Sequence, residues 1–371
     1  MANRTWIKEF TNLYFSANEK DIAKALKLKE MHFPKKLYRY RPAIRENELQ
    51  GNIYLSHYKE LNDPYDSCSV LHACTASEFL NYRKKESQAM MRLSLAKGID
   101  DSTLDNIFRQ PEWFEVLVKT AFELRAAQPQ TVLDAVESLE HTVMEMAEKI
   151  TEYHNQRLHE YRIACFTEES SNTSMWNFYA NGHSGICLEY DIEDKWKTNI
   201  YPVRYTNLLP DILKILFTEP VSPNAMLKCL VHKLNCWNNE TEWRLIPTQD
   251  DLIALLGDYN KLLSDKGILY PFFKPSKVIL GSKISKEDQK RALSLSEKYS
   301  IPLQKIRCTP SGLKLSDLNN SDLNNMDVLQ PDTSPAPRLK ELFKVSESLT
   351  DEEIKKVLNC IRSIVSERDG K

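Results

Sequence analysis

Apolar and polar residues change period along this chain, and the changes divide it into segments. Residues 4 to 30 carry apolar positions at helical spacing, in one or two short helices that end before "HFPKK". "KLYRYR" then alternates with a period of two, so a strand over 36–41 places Leu37, Arg39 and Arg41 on one face and Tyr38 and Tyr40 on the other. "IRENELQ" predicts a short helix, "GNIYLSH" a second strand and "LNDPYD" a turn. From about 76 to 160, segments such as "PEWFEVLVKTAFELRAA" return to helical spacing, which makes this stretch a helical insertion between strands.

Strand patterning resumes with "RIACFTEE". A capped helix in "TSMWNFYANG" ends at Gly182, and "GICLEYDI", "YPVRYT", "TEWRLIPT" and "YPFFKPSKVILGS" are β-like. A helix at 285–299 and a strand near "PLQKIRC" close the body. The pattern predicts an α+β fold: a split or mixed β-sheet core with a helical insertion and a C-terminal helix. The expected division is an N-terminal helical segment (1–35), a core (36–315), a linker (316–338) and a C-terminal helical segment (339–371). The linker is polar and carries the near-repeat "SDLNNSDLNN". In the last segment, "TDEEIKKVLNCIRSIVSE" is amphipathic behind a capping start and suits packing on the body or on a protein partner.

Composition narrows the function classes. The 371 residues carry 50 Lys+Arg against 52 Asp+Glu, a formal net charge of -2, so global charge does not indicate nucleic acid. Only 9 residues are Gly, where average usage would give roughly 26. No GxGxxG or GxxxxGK[ST] phosphate loop occurs. The eight cysteines include no CxxC pair, which argues against a zinc ribbon. The opening "MANRTWIKEF" lacks the apolar stretch of a signal peptide, and no apolar run suits a bilayer span. The expectation is a reduced, cytoplasmic, non-membrane protein.

Four stretches carry candidate chemistry. As a strand, "NNETEWRLI" puts Glu240, Glu242 and Arg244 on one ionic face, suited to cross-strand salt bridges or to a carboxylate held beside an arginine in a cleft. Arg39 and Arg41 can grip a phosphate or carboxylate, or Arg39 can pair with Glu240 or Asp66. On a helix Trp176, Tyr179 and His183 fall near one face; such aromatics suit a core as well as a ring-stacking site, and His183 stands in the turn to the next strand. In "LNDPYD", Asn62, Asp63 and Pro64 shape a rigid turn at the end of the strand carrying Ser56, and that turn can be structural alone.

Taken in order, these motifs resemble a widespread bacterial family of unknown function, over most of residues 36–315. The matching positions are Tyr38 and Arg39; Asn62, Asp63 and Pro64; Trp176, Tyr179, His183 and Gly185; and Glu240, Glu242 and Arg244. Tyr65 and Asp66 stand where that family often has Phe and Glu. The layout is also similar to that of ADP-ribosyltransferases and their toxin relatives. That likeness implies NAD as a substrate, a role in bacterial defence or as a toxin-type effector, and no firmly required cofactor. It implies Glu242 as the catalytic carboxylate with Glu240 and His183 beside it. Tyr38, Arg39, Arg41, Ser56, Asn62, Asp63, Trp176, Tyr179 and Arg244 would then bind substrate. Two readings compete: a metal-dependent hydrolase or nuclease using Asp63, Asp66, His183 and Glu240 around Mg²⁺, and a non-catalytic module that binds a small phosphorylated ligand or a protein partner.

Overall fold

The apolar strand segments assemble into one large mixed sheet. The computed structural model describes residues 4–318 apart from 17, 69, 126, 219–224 and 311. Met1–Asp317 forms one unit and the chain from Leu318 a second. The strands described are β1 (Leu37–Arg41), β2 (Asn52–Leu55), β3 (Ala164–Thr167), β4 (Ile186–Tyr190), β5 (Ile200–Pro202) and β6 (Arg204–Thr206). They continue with β7 (His232–Leu234), β8 (Glu242–Leu245), β9 (Ile268–Pro271), β10 (Lys277–Leu280), β11 (Leu303–Thr309) and β12 (Gly312–Asp317). Eight of them form a sheet in the order β12-β11-β10-β4-β1-β3-β8-β5; β2 pairs with β9 and β6 with β7 in two small sheets. Within the large sheet only β10 and β11 run parallel. The fold class is α+β.

Position in the sheet explains each strand's composition. β4 lies between β10 and β1 and every residue of "ICLEY" is buried, because elements cover both of its faces. β8, "EWRL", is likewise buried throughout. Its apolar face is covered from the N-terminus: the Trp243 ring lies 4.9 Å from Phe33 and 6.1 Å from Trp6. The helices Trp6–Tyr14 and Glu19–His32 add Phe10, Tyr14 and Ala25 to a cluster with Tyr201, Leu230 and Ile246. The opposite face of β8 carries Glu242 and Arg244, and the site forms there.

Helices fill the insertion: Ala76–Asn81, Lys84–Ser94, Asp101–Phe108, Trp113–Glu123 and Pro129–Arg157. They surround their own apolar cluster of Trp113, Phe114, Leu117 and Val118. The helix Thr173–Tyr179 starts where the Asn172 side chain accepts from the Met175 amide, and it lays Trp176 against Tyr40 of β1 at 5.1 Å. The chain then crosses β1 so closely that a Cβ on Gly185 would stand 2.2 Å from the Arg41 carbonyl oxygen, so no larger residue fits. Among the described residues no helix is long and apolar enough to cross a membrane.

Two boundaries differ from the sequence reading. Residues 316–317, read as the start of the linker, end β12, which pairs antiparallel with β11; "GLKLSD" is an edge strand exposed or half-buried along its whole length. Glu240 does not lie on β8. It ends a 3₁₀ turn over Asn235–Glu240, and Thr241 follows in left-handed backbone at φ 46°. The expected linker beyond 318 and helix within 339–371 lie outside the described residues.

Candidate functional site

The "LNDPYD" corner delivers a charge to the interior. Asp63 shapes the turn, its Oδ1 accepting from the Tyr65 amide at 2.9 Å, while its Oδ2 is buried with no hydrogen-bond partner among the described residues. That turn carries the chain to Asp66, which points inward and is 3% exposed. Asp66 Oδ1 lies 2.7 Å from Arg244 Nη1, and Ser67 Oγ accepts from the same nitrogen at 2.9 Å. The pairing expected of Arg39 with Asp66 or Glu240 therefore belongs to Arg244, joined by Lys233, which the sequence reading did not single out.

Around Arg244 and Lys233 lies a buried network of three carboxylates and two cations. Arg244 Nε donates to Glu242 Oε1 at 2.8 Å and Nη2 to Glu242 Oε2 at 3.1 Å. Its Nη1 also reaches the Leu230 carbonyl at 2.6 Å. Lys233 Nζ, from β7, donates to Glu240 Oε2 at 2.6 Å and Glu242 Oε2 at 3.2 Å, and stands 3.4 Å from Asp66. Tyr179 OH donates to Glu240 Oε1 at 2.6 Å, and Asn62 Nδ2 donates to Tyr179 OH at 3.3 Å. The left-handed residue between strand and turn thus lets Glu240 and Glu242 approach one ammonium from two directions.

Their environments split the two glutamates. Burial alone would raise the Glu242 pKa, but adjacent Arg244 and Lys233 outweigh it and hold the carboxyl at about 2. Glu240 is raised instead, first by burial and then by the Glu242 charge, against the opposing pull of Lys233. Burial also raises the Tyr179 hydroxyl, with Glu240 adding to it. One carboxylate is fixed as an anion while its neighbour has a heightened proton affinity, the arrangement that separates acid and base roles within a pair.

A cavity of about 260 Å³ opens in front of this network, lined by Glu240, Glu242, Lys233 and Tyr179 on one side and by Tyr38, Arg39, Arg41 and Ser56 on another. Asn62, Asp66 and Cys165 also reach its wall. Arg41 is already neutralised by Glu48, at 2.8 Å from Nε and 2.6 Å from Nη2. Arg39 is not. Its Nη2 donates to the Tyr54 carbonyl at 2.6 Å, while Nη1 is buried with no hydrogen-bond partner among the described residues. Burial, then Arg41, lowers its pKa to about 10, so it remains a cation at neutral pH. A buried guanidinium nitrogen left without a partner, on a residue that lines a cavity, suits an oxyanion.

Four expected site residues do not line this cavity. Arg244, expected to bind substrate, is saturated by Glu242, Asp66, Ser67 and the Leu230 carbonyl and has no place on the wall. Trp176 is fully buried core, its Nε1 donating to the Ser170 carbonyl at 2.8 Å. The His183 ring stacks on Trp176 at 6.1 Å with planes 14° apart, in backbone at φ 72°, and its carbonyl accepts from the Lys283 amide. Asp63 closes its own turn. The quartet imagined around Mg²⁺ is therefore not assembled: Asp63 and His183 stay outside, and Asp66 and Glu240 are occupied by Arg244 and Lys233. A signal for the missing Lys233 exists in "CLVHKL", where a lysine interrupts an apolar run and is 3% exposed in the fold; such a lysine demands an anionic partner. No family model matches this chain, nor does any curated protein or solved structure at a significant level.

Proposed function

We propose that the cavity is the active site of an ADP-ribosyltransferase-like enzyme that breaks the glycosidic bond of NAD, with Glu240 rather than Glu242 handling the proton. One observation carries this reading. Arg39, whose Nη1 is buried without a hydrogen-bond partner among the described residues, lines the same cavity as Glu240, a glutamate with raised proton affinity bonded to Tyr179. Arg39 holds a phosphate oxygen of the dinucleotide. Tyr38 and Tyr40, at the cavity wall, flank the bound end of the molecule. The cavity is below the roughly 300–1,000 Å³ of pockets that enclose a drug-sized ligand, so it takes one sugar-and-base end and leaves the rest at the mouth.

In the reaction, the bond from the ribose C1′ to the nicotinamide nitrogen breaks and its electron pair leaves with nicotinamide. The negative field of Glu240 and Glu242 favours the positive charge that develops on the sugar. An acceptor hydroxyl, or water, bonds to C1′ and gives its proton to Glu240. Glu242 is a positioning residue: its anion keeps Lys233 and Arg244 charged, and Lys233 fixes Glu240. The setting suggested by the motif resemblance is bacterial defence or a toxin-type effector.

The test is nicotinamide release from NAD by the purified chain, with and without a cell extract as the source of acceptor. Glu240→Gln should lower turnover by about 10²-fold or more without lowering the thermal melt. Absence of turnover by the wild-type chain in both conditions would overturn the reading, and an NAD-dependent rise in melting temperature without turnover would mark a binding module in its place.

A further inference from the structure

Outside the cavity lining, though next to Ser56 and Glu60 of its wall, three side chains distant in sequence converge. His57 follows β2, His159 lies in a 3₁₀ turn after the long helix Pro129–Arg157, and Asp265 precedes β9. One ligand atom from each lies within 4.8 Å of the others. His159 Nδ1 is 2.9 Å from Asp265 Oδ1, and the His57 and His159 rings are 4.8 Å apart. His57 is 0% exposed, and its Nε2 is buried with no hydrogen-bond partner among the described residues. A fully buried imidazole nitrogen without a partner, facing a second imidazole and a carboxylate, calls for an explanation that packing does not supply.

The surroundings hold the three groups in place. Arg162, 0% exposed, donates to the carbonyls of His159 at 2.6 Å and Tyr161 at 2.8 Å on one side. On the other it donates to Leu262 at 2.9 Å, Ser264 at 2.6 Å and Lys266 at 3.0 Å, bracketing Asp265. One buried guanidinium thereby ties the segment bearing His159 to the loop bearing Asp265. The second nitrogen of His159 lies 3.1 Å from the Tyr58 hydroxyl, an outer partner of the kind that orients a metal-bound imidazole.

We propose that His57, His159 and Asp265 form a binding site for a divalent transition-metal ion of the zinc class. Two imidazoles and one carboxylate suit zinc and its neighbours rather than Mg²⁺ or Ca²⁺, which prefer all-oxygen shells. Three protein ligands leave a fourth position for water. Loading has two local consequences. Lys59, whose ammonium lies 3.2 Å from Asp265 Oδ2 at the surface, gives up that contact. The His57 hydrogen moves to Nδ1, so the Lys59 amide loses its 3.2 Å acceptor. The site is independent of the NAD reading.

The decisive experiment uses the full chain, stripped with a chelator and dialysed against zinc. One equivalent of zinc should be retained, with a rise of several degrees in melting temperature, and affinity should fall at least tenfold in Asp265→Ala and in His159→Ala. Asp265 is exposed, so its variant keeps the test valid should His159→Ala fold poorly. Cobalt(II) then reports the donors: visible d–d bands without a strong near-ultraviolet thiolate band support the site. Failure to retain zinc, retention unchanged in both variants, or a thiolate band that places the ion on cysteines would overturn it.

Discussion

Arg244 and Arg39 stand on β8 and β1, the two strands flanking β3, and both are buried, yet they are built for different ends. Every nitrogen of Arg244 has a partner: Glu242, Asp66, Ser67 and the Leu230 carbonyl saturate it. Arg39 has one carbonyl and one empty nitrogen. A buried charge with all partners in place holds structure, while one left short beside a cavity is held ready for a ligand. The same contrast separates the glutamates, with Glu242 locked between two cations and Glu240 sharing only Lys233 and a phenol.

The hardest blow to this contrast is Arg244→Met. Removing the guanidinium leaves Asp66 and Glu242 buried with Lys233 as their remaining cation, and losing one partner of a buried ion pair costs about 3–5 kcal/mol. Thermal and denaturant unfolding should show a drop on the order of 10 °C. If the melting temperature hardly moved, the network would not be structural and Arg244 would have to be read like Arg39.

How much of this was legible in the sequence depends on range. The period of two in "KLYRYR" and the apolar run "ICLEY" mark β1 and β4, because burial and register write themselves into local alternation. The helical insertion is legible for the same reason. Glu240 was placed on a strand because alternation continues through "ETEWRL", and nothing local announces that Thr241 turns left-handed and ends a 3₁₀ turn. Which arginine meets Asp66 was beyond reach: Arg244 lies 178 residues from it, and Arg39 much nearer in sequence. Lys233 was written in the chain as a cation inside an apolar run, but its partners were not.

Acid sharpens the contrast between the glutamates. Glu242 sits at about 2 when folded against 4.5 for the free side chain, so its ionised form favours the fold. That contribution, on the order of 3 kcal/mol, is complete above about 4.5 and is lost as the pH falls through 4.5 toward 2. Glu240 acts in the opposite sense: with its folded pKa raised, its ionisation costs stability as the pH rises through 4.5 to that higher value. Denaturant midpoints across this range should show Glu242→Gln flattening the loss on the acid side, and Glu240→Gln removing the loss on the other. Identical pH profiles for the two variants would erase the distinction.

Arg39→Met should do the reverse of Arg244→Met. It removes a buried charge that lacks a full set of partners, so stability should stay within about 1 kcal/mol. The rise in melting temperature given by NAD should disappear. A large destabilisation without any change in NAD response would make Arg39 structural after all.

The smallest effect belongs to Asn62→Ala. Asn62 is exposed and its amide donates to Tyr179 at 3.3 Å, at the long end of a useful hydrogen bond. Folding should lose no more than about 0.5 kcal/mol, because Asp63 and not Asn62 closes the turn. Tyr179 has a stronger bond at 2.6 Å to Glu240, so its hydroxyl stays on the glutamate when Asn62 is gone. Turnover should therefore fall only a few-fold, with kcat affected more than KM if Asn62 orients Tyr179 and KM affected more if Asn62 touches the substrate. A loss as large as that of Glu240→Gln would move the proton-handling centre from Glu240 toward the Tyr179 hydroxyl.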